Sequence, residues 1–310
     1  MTTPEVRRPA GLIAVVGAIL SFALSTPLVK WSGETGVVLS FWRMWFSSAL
    51  WWLLLLGLRA GRPAETSLPT PTEWRLVLPS GLLFGMNISI LFTAVTRTSI
   101  AHAEFIGVLT PLLAVPAGAA FFGERPNWRA LGVAPLALAG VAMVLFFAPT
   151  GGAATVEGDL LMLVVLCIWT SYLLVTKRAR ASGVDTVTFM ACMMPLGLLT
   201  AIPISLVLAA DELLSMSARG WFVAGVLAVL TGMVAHGCIA FAQQHLPLAT
   251  ITVMQTSQPA LAVLFAFVIL GEEVRSLQVV GMALVTIGVG LFTLRATRRP
   301  SAVERATLSP

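Results

Sequence analysis

Pro111-Leu-Leu-Ala-Val-Pro-Ala-Gly-Ala-Ala-Phe-Phe-Gly-Glu124 recurs along the chain as Pro259-Ala-Leu-Ala-Val-Leu-Phe-Ala-Phe-Val-Ile-Leu-Gly-Glu272, displaced by 148 positions. Pro, Leu, Ala, Val, Gly and Glu repeat in register at 111/259, 113/261, 114/262, 115/263, 123/271 and 124/272, and Gly140-Val141 answers Gly288-Val289 at the same offset. An ungapped echo of this length marks a duplicated unit. At an offset of 147, Gly11, Phe22 and Lys30 answer Gly158, Trp169 and Lys177, and Gly85-Met86 answers Gly232-Met233. The duplication therefore reaches well beyond the motif.

The medium of the fold follows from composition. With 57% hydrophobic and 11% charged residues and a mean hydropathy of +0.92, the chain has too little polar surface to cover a soluble core. Its apolar residues come in blocks of about 20, the length that spans about 30 Å of hydrocarbon at 1.5 Å per residue. Cys167, Cys192 and Cys238 lie inside such blocks without CxxC or Cys/His spacing, so neither a disulfide framework nor a metal site is expected. The N-terminal apolar run is longer than a signal-peptide core and lacks a convincing cleavage site, which predicts a retained first span. The net charge of +5 comes from arginines scattered over short loops, a pattern of membrane topology rather than of nucleic-acid binding.

Ten spans are predicted, at about 11–31, 36–58, 74–95, 100–122, 128–147, 158–177, 187–208, 219–242, 249–270 and 276–294. The Lys/Arg bias places both termini in the cytoplasm: only Lys30, Arg97, Arg219 and Arg275 then fall outside. Trp31, Trp74, Trp128 and Trp221 sit near span ends, as interfacial anchors should. The expected organisation is a cytoplasmic tail (1–10), a first five-span repeat (11–147), an external linker (148–157), a second five-span repeat (158–294) and a disordered cytoplasmic tail (295–310). Five is odd, so the second copy enters the membrane from the opposite side. The fold class is thus an all-α integral membrane protein of two inverted five-helix repeats, an architecture in which secondary transporters place substrate near mid-membrane.

The doubled pattern of P-x-L-A-V, an apolar run, G-E and a Gly-rich final span resembles the EamA-type drug/metabolite transporter superfamily over residues 11–294. Within it, the chain is similar to bacterial amino acid exporters, including the aromatic amino acid exporter branch. That resemblance implies a secondary carrier in the bacterial inner membrane, with substrate between spans 1, 3, 4, 6, 8 and 9.

Candidate site residues follow from polarity at membrane depth. Pro111 and Pro259 each remove a helix donor and free the carbonyls of Gly107 and Gln255, as kinks or as cavity acceptors. Gln255 and Gln258 lie on the polar side of span 9, as helix glue or substrate contacts. Ser21, Phe22 and Ser25 in span 1 stand against Trp169 and Tyr172 in span 6. Asn87 and Ser89 lie in span 3, and His236, at the counterpart of Ser89, is either a structural histidine or a donor and proton carrier. Arg43 and Glu104 both lie toward the outer side, with His102 adjacent, and a charge pair or a shared wet mouth is expected. Glu124 and Glu272, each after a glycine, read as helix starts.

The sequence holds no P-loop, HExxH or G-x-S-x-G, and the loops have no room for a nucleotide-binding domain. No enzyme, cofactor or metal is expected. The expected partners are the lipid bilayer and a small-molecule substrate such as an amino acid, handled by a monomer. The absence of an intramembrane Lys/Arg cluster argues against phosphorylated cargo. A lipophilic-drug exporter and, from another class, an intramembrane enzyme are the competing readings.

Overall fold

The computed structural model describes residues 4–61, 67–122, 128–148, 154–180, 182–245 and 254–297. Among these, nine helical segments are long and apolar enough to cross a membrane, and a tenth apolar helix is shorter. Helices α1 (Pro4–Ser32), α2 (Gly36–Gly61) and α3 (Pro71–Arg97) form the first three spans. The fourth is broken into α4 (Ile100–Gly107) and α5 (Thr110–Phe122); the fifth is a 3-10 turn, Trp128–Val133, running into α6 (Ala134–Phe146). Spans six and seven are α7 (Val156–Arg180) and α8 (Thr186–Ala209). The eighth is α9 (Ala218–Val229), a π-helical segment Leu230–Ala235 and α10 (His236–His245); α11 (Gln258–Leu270) and α12 (Ser276–Thr297) complete the chain.

Local chemistry sets the ends of these helices. The Thr70 side chain accepts from the Glu73 amide while Glu73 reaches back to the Thr70 amide, a capping box with Pro71 in the first turn of α3. Ser99, Asp185 and Ser217 cap α4, α8 and α9 with their side-chain oxygens. Gly271 ends α11 in the left-handed region (φ 67°), where its amide bonds to the Phe267 carbonyl and that of Glu272 to the Ala266 carbonyl. Glu272 therefore follows a helix stop, not the helix start expected for it, and Glu124 lies outside the described residues.

The repeated prolines do break the spans that carry them. The helix gives way to a turn at Val108–Leu109 before Pro111 and at Thr256–Ser257 before Pro259, and in each turn the amide of Leu109 or Ser257 bonds three residues back, to Ile106 or Met254. The two turns occupy equivalent positions 148 residues apart.

Packing follows a pseudo-two-fold relation between the halves. Helix α1 packs against α10 and α11, and its counterpart α7 packs against α3 and α4; α2 packs on α9 as α8 packs on α3, and α6 packs on α12. Small residues let the backbones approach. A Cβ at Gly140 would meet Val285 and one at Gly288 would meet Ala137, and these two pairs exchange under the 148 offset. At Gly85 an added Cβ would fall on the Gly197 carbonyl, so α3 and α8 touch backbone to backbone. Large apolar side chains such as Phe121, Phe146, Val207, Phe222 and Val268 are exposed, as lipid-facing positions should be.

The face carrying the α1–α2 and α3–α4 turns is called the Lys30 face, and the opposite one, at the start of α1, the terminal face. Toward the Lys30 face α4 is buried at every residue from Ile100 to Ile106, whereas most of α5, toward the terminal face, is half-buried or exposed.

Candidate functional site

At the Lys30 face a polar lattice joins four span ends. Lys30 Nζ lies 2.6 Å from Glu272 Oε1 and donates to the Thr98 carbonyl at 2.7 Å, while Glu272 Oε2 accepts from the Ile100 amide at 3.0 Å. Both side chains are 17% exposed, so this ion pair is sheltered and less screened than a surface pair. The Thr98 hydroxyl donates to Asp159 at 2.6 Å, His102 Nδ1 lies 3.0 Å from both oxygens of Asp159, and Arg97 pairs with Glu157. Together these contacts fasten α1, α3, α4 and α7 to the loop after α11.

Below the lattice, Glu104 is 8% exposed and sits between three spans. Its carboxylate accepts from the Thr26 hydroxyl of α1 at 2.7 Å and from the Gln258 amide of α11 at 3.3 Å. Among the described residues it has no cationic partner. Arg43 is the reverse: 2% exposed, it donates from Nε to Thr231 Oγ1 at 3.1 Å, lies 5.9 and 5.7 Å from the ring centroids of Phe84 and Phe92, and leaves Nη1 without an acceptor. The expected Arg43–Glu104 pair is thus not formed, and His102 pairs with Asp159 instead. The reason is direction: Arg43 points from α2 between α3 and the π-helical segment, whereas Glu104 points between α1 and α11, and helix spacing alone does not set those azimuths.

A row of rings links α1, span 8, α3 and α7 and passes Arg43 at Phe84. Phe22 meets His236 edge-on at 5.5 Å, His236 meets Phe84 edge-on at 5.7 Å, Phe84 lies 5.6 Å from Tyr172, and Tyr172 stacks on Trp169 at 4.9 Å. Such offset and edge-on geometries suit the ring quadrupole. The row takes one ring from α1, one from span 8, one from α3 and two from α7, so both repeats contribute. Phe22 is one turn from Thr26 on α1, which brings the row to the edge of the Glu104 cluster.

The other sequence-selected residues divide by their partners. Ser21 donates to the Gly17 carbonyl and Ser25 is buried on the same helix. Asn87 donates to the Val165 carbonyl of α7 at 3.1 Å, and Ser89 to the Gly85 carbonyl of its own helix, within reach of Ser40. The Gly107 carbonyl freed by Pro111 accepts from the Thr110 hydroxyl at 2.7 Å. Gln255 is half-buried just before the second turn. The Tyr172 hydroxyl faces Met193 Sδ, and His236 Nδ1 faces the Thr231 carbonyl. Asp159, Thr26, Phe84 and Thr231 escaped the sequence reading. Phe84 and Thr231 are 147 apart, an equivalence that identity matching misses because the residues differ.

Residues 9–146 match the EamA-like transporter family, and residues 156–294 match it a second time. The chain belongs to that family. It is an EamA-family membrane transporter of small molecules, a multi-pass protein whose two halves each carry the family unit. An uncharacterized transporter of Vibrio cholerae is 25% identical over 314 residues, covering 99% of each chain. A crystal structure 19% identical in sequence superposes with a TM-score of 0.66, covering 94% of this chain and 100% of the other, which shows a shared fold. The ring row, Arg43 and Glu104 each join side chains of both EamA repeats.

Proposed function

We propose that this EamA protein exports amino acids, aromatic ones included, and related small metabolites by alternating access. The row Phe22–His236–Phe84–Tyr172–Trp169 carries this reading: it supplies flat apolar surface for a planar side chain, and both repeats build it. Ser21, Ser25, Asn87, Ser89, Gly107, Gln255 and Gln258 are assigned to the wall of the transport path. In this reading the Lys30–Glu272 lattice is the gate at one face and opens in the other state. The Lys/Arg bias supports placing the termini in the cytoplasm and the lattice outside, in a bacterial inner membrane, with the monomer as the working unit.

Glu104 is the group suited to coupling. A buried carboxylate held by two hydrogen-bond donors and, among the described residues, no cation can take up a proton in one state and release it in the other. Proteoliposome flux tests both parts. Labelled aromatic amino acids should cross, and a proton gradient should drive accumulation; Glu104→Gln should abolish the gradient effect while leaving exchange at equal pH. Transport of hydrophobic cations alone would replace this reading with that of a lipophilic-drug exporter, which the apolar rings and the lone carboxylate also suit.

A further inference from the structure

Arg43 lies among buried polar groups that are not all paired among the described residues. Ser40, Arg43 and Ser47 form one buried stripe on α2, spaced for a single helix face. Among the described residues, Arg43 Nη1 and the Ser47 hydroxyl have no partner. The acceptors opposite, in the π-helical segment, are already engaged: the Thr231 carbonyl by His236, the Gly232 carbonyl by Trp51 Nε1 at 2.7 Å, and Thr231 Oγ1 by Arg43 Nε while its own proton goes to the Leu227 carbonyl. A guanidinium at membrane depth without a carboxylate is costly, and two phenyl rings offset only part of that cost. Helices widened to the π form recur at functional sites, and this one lies at the same level.

We infer that Arg43, with Thr231 and the stripe on α2, is the carboxylate subsite of the transported molecule. This rests on the amino acid reading and deepens it. The Phe84 ring touches both Arg43 and the aromatic row, so it stands at the junction where a ring-bearing substrate in the row presents its carboxylate to the guanidinium. The charge-assisted N–H···O⁻ bonds formed there separate an α-amino acid from the amine or ester of the same side chain. Met190 holds the equivalent position of the other repeat, so the inverted halves share one anion subsite, not two.

The test is ligand-dependent thermal stabilisation of the purified transporter, read with tryptophan, tryptophan methyl ester, tryptamine, indole-3-acetate and sodium chloride. Wild-type protein should respond to tryptophan at concentrations at least about tenfold lower than to the ester or tryptamine, and Arg43→Gln should erase that preference. Arg43→Lys, which keeps the charge, should retain part of it and serves where the glutamine variant fails to fold. Equal responses to tryptophan and its ester in wild type would overturn the subsite while leaving amino acid transport standing. A response to chloride alone, dependent on Arg43, would overturn it in favour of an inorganic anion. An Arg43-dependent response to indole-3-acetate, with tryptophan and tryptamine inert, would keep the subsite and remove the amino acid reading. No Arg43-dependent response to any carboxylate would remove the subsite.

Discussion

Two wedges of this transporter are built from equivalent positions and differ in chemistry. In one, α2 meets span 8 through Arg43, Ser47, Thr231 and Gly232; in the other, where α8 meets α3, the positions equivalent by an offset of 147 hold Met190, Met194, Phe84 and Gly85. The glycine is shared because both crossings need a close approach. At Gly85 the missing Cβ would land on the Gly197 backbone, whereas at Gly232 it would land on the Ser47 hydroxyl. The first wedge is polar and leaves donors open; the second has methionine at the equivalent positions and closes backbone to backbone. Duplication thus kept the glycine of each crossing while polarity was concentrated on one side.

The harshest way to break the comparison is at its shared glycines. Gly85→Val must push two backbones apart and is expected to cost at least about 1–3 kcal/mol, with loss of monodisperse protein on gel filtration. Gly232→Val meets only a side chain, and Ser47→Ala in the same chain should recover most of its lost melting temperature. If both single variants behave alike, the two crossings are not distinguished by what the glycine faces.

A second intervention makes the wedges chemically alike. Arg43→Met should lower amino acid flux at least about tenfold at equal amounts of folded protein, whereas Met190→Leu, a volume-conserving swap, should change it by less than about twofold. Equal effects would show that the polarity of the first wedge is incidental.

The Lys30–Glu272 pair offers a milder probe. Lys30→Gln should raise the labelling rate of a Ser25→Cys reporter by a membrane-impermeant maleimide applied from the Lys30 face, and the exchanged pair Lys30→Glu with Glu272→Lys should restore it in part. An unchanged labelling rate would mean that the ion pair does not hold that face shut. The smallest effect is expected at Asn87. Its single bond to the Val165 carbonyl is worth about 1 kcal/mol, so Asn87→Ala should lower the melting temperature slightly with flux altered less than about twofold.

Much of the architecture was open to reading before any coordinates. Apolar blocks of membrane length, the 147–148 offset and an odd number of spans per repeat together require an all-helical bundle of inverted halves, because a backbone in hydrocarbon must satisfy its own hydrogen bonds. The prolines at 111 and 259 marked real breaks for the same reason, since a missing amide interrupts the helix wherever the residue falls. The rings of Phe22, Trp169 and Tyr172 were also legible, being large aromatics at matched depth.

What the tertiary structure alone decided is which side chains meet. Arg43 and Glu104 share a depth, and depth is what a span boundary reveals; their azimuths depend on how α2 and α4 rotate against their neighbours, so the pair expected between them dissolves into two separate centres. Glu272 follows a glycine, which sequence alone read as a helix start, yet its carboxylate reaches Lys30 from 242 residues away. Phe84 carried no polar signal, and only packing sets it between Arg43, His236 and Tyr172. Hydropathy and periodicity record how far each residue lies from water; contacts across helices depend on rotation about each axis, which the summed packing of all neighbours determines.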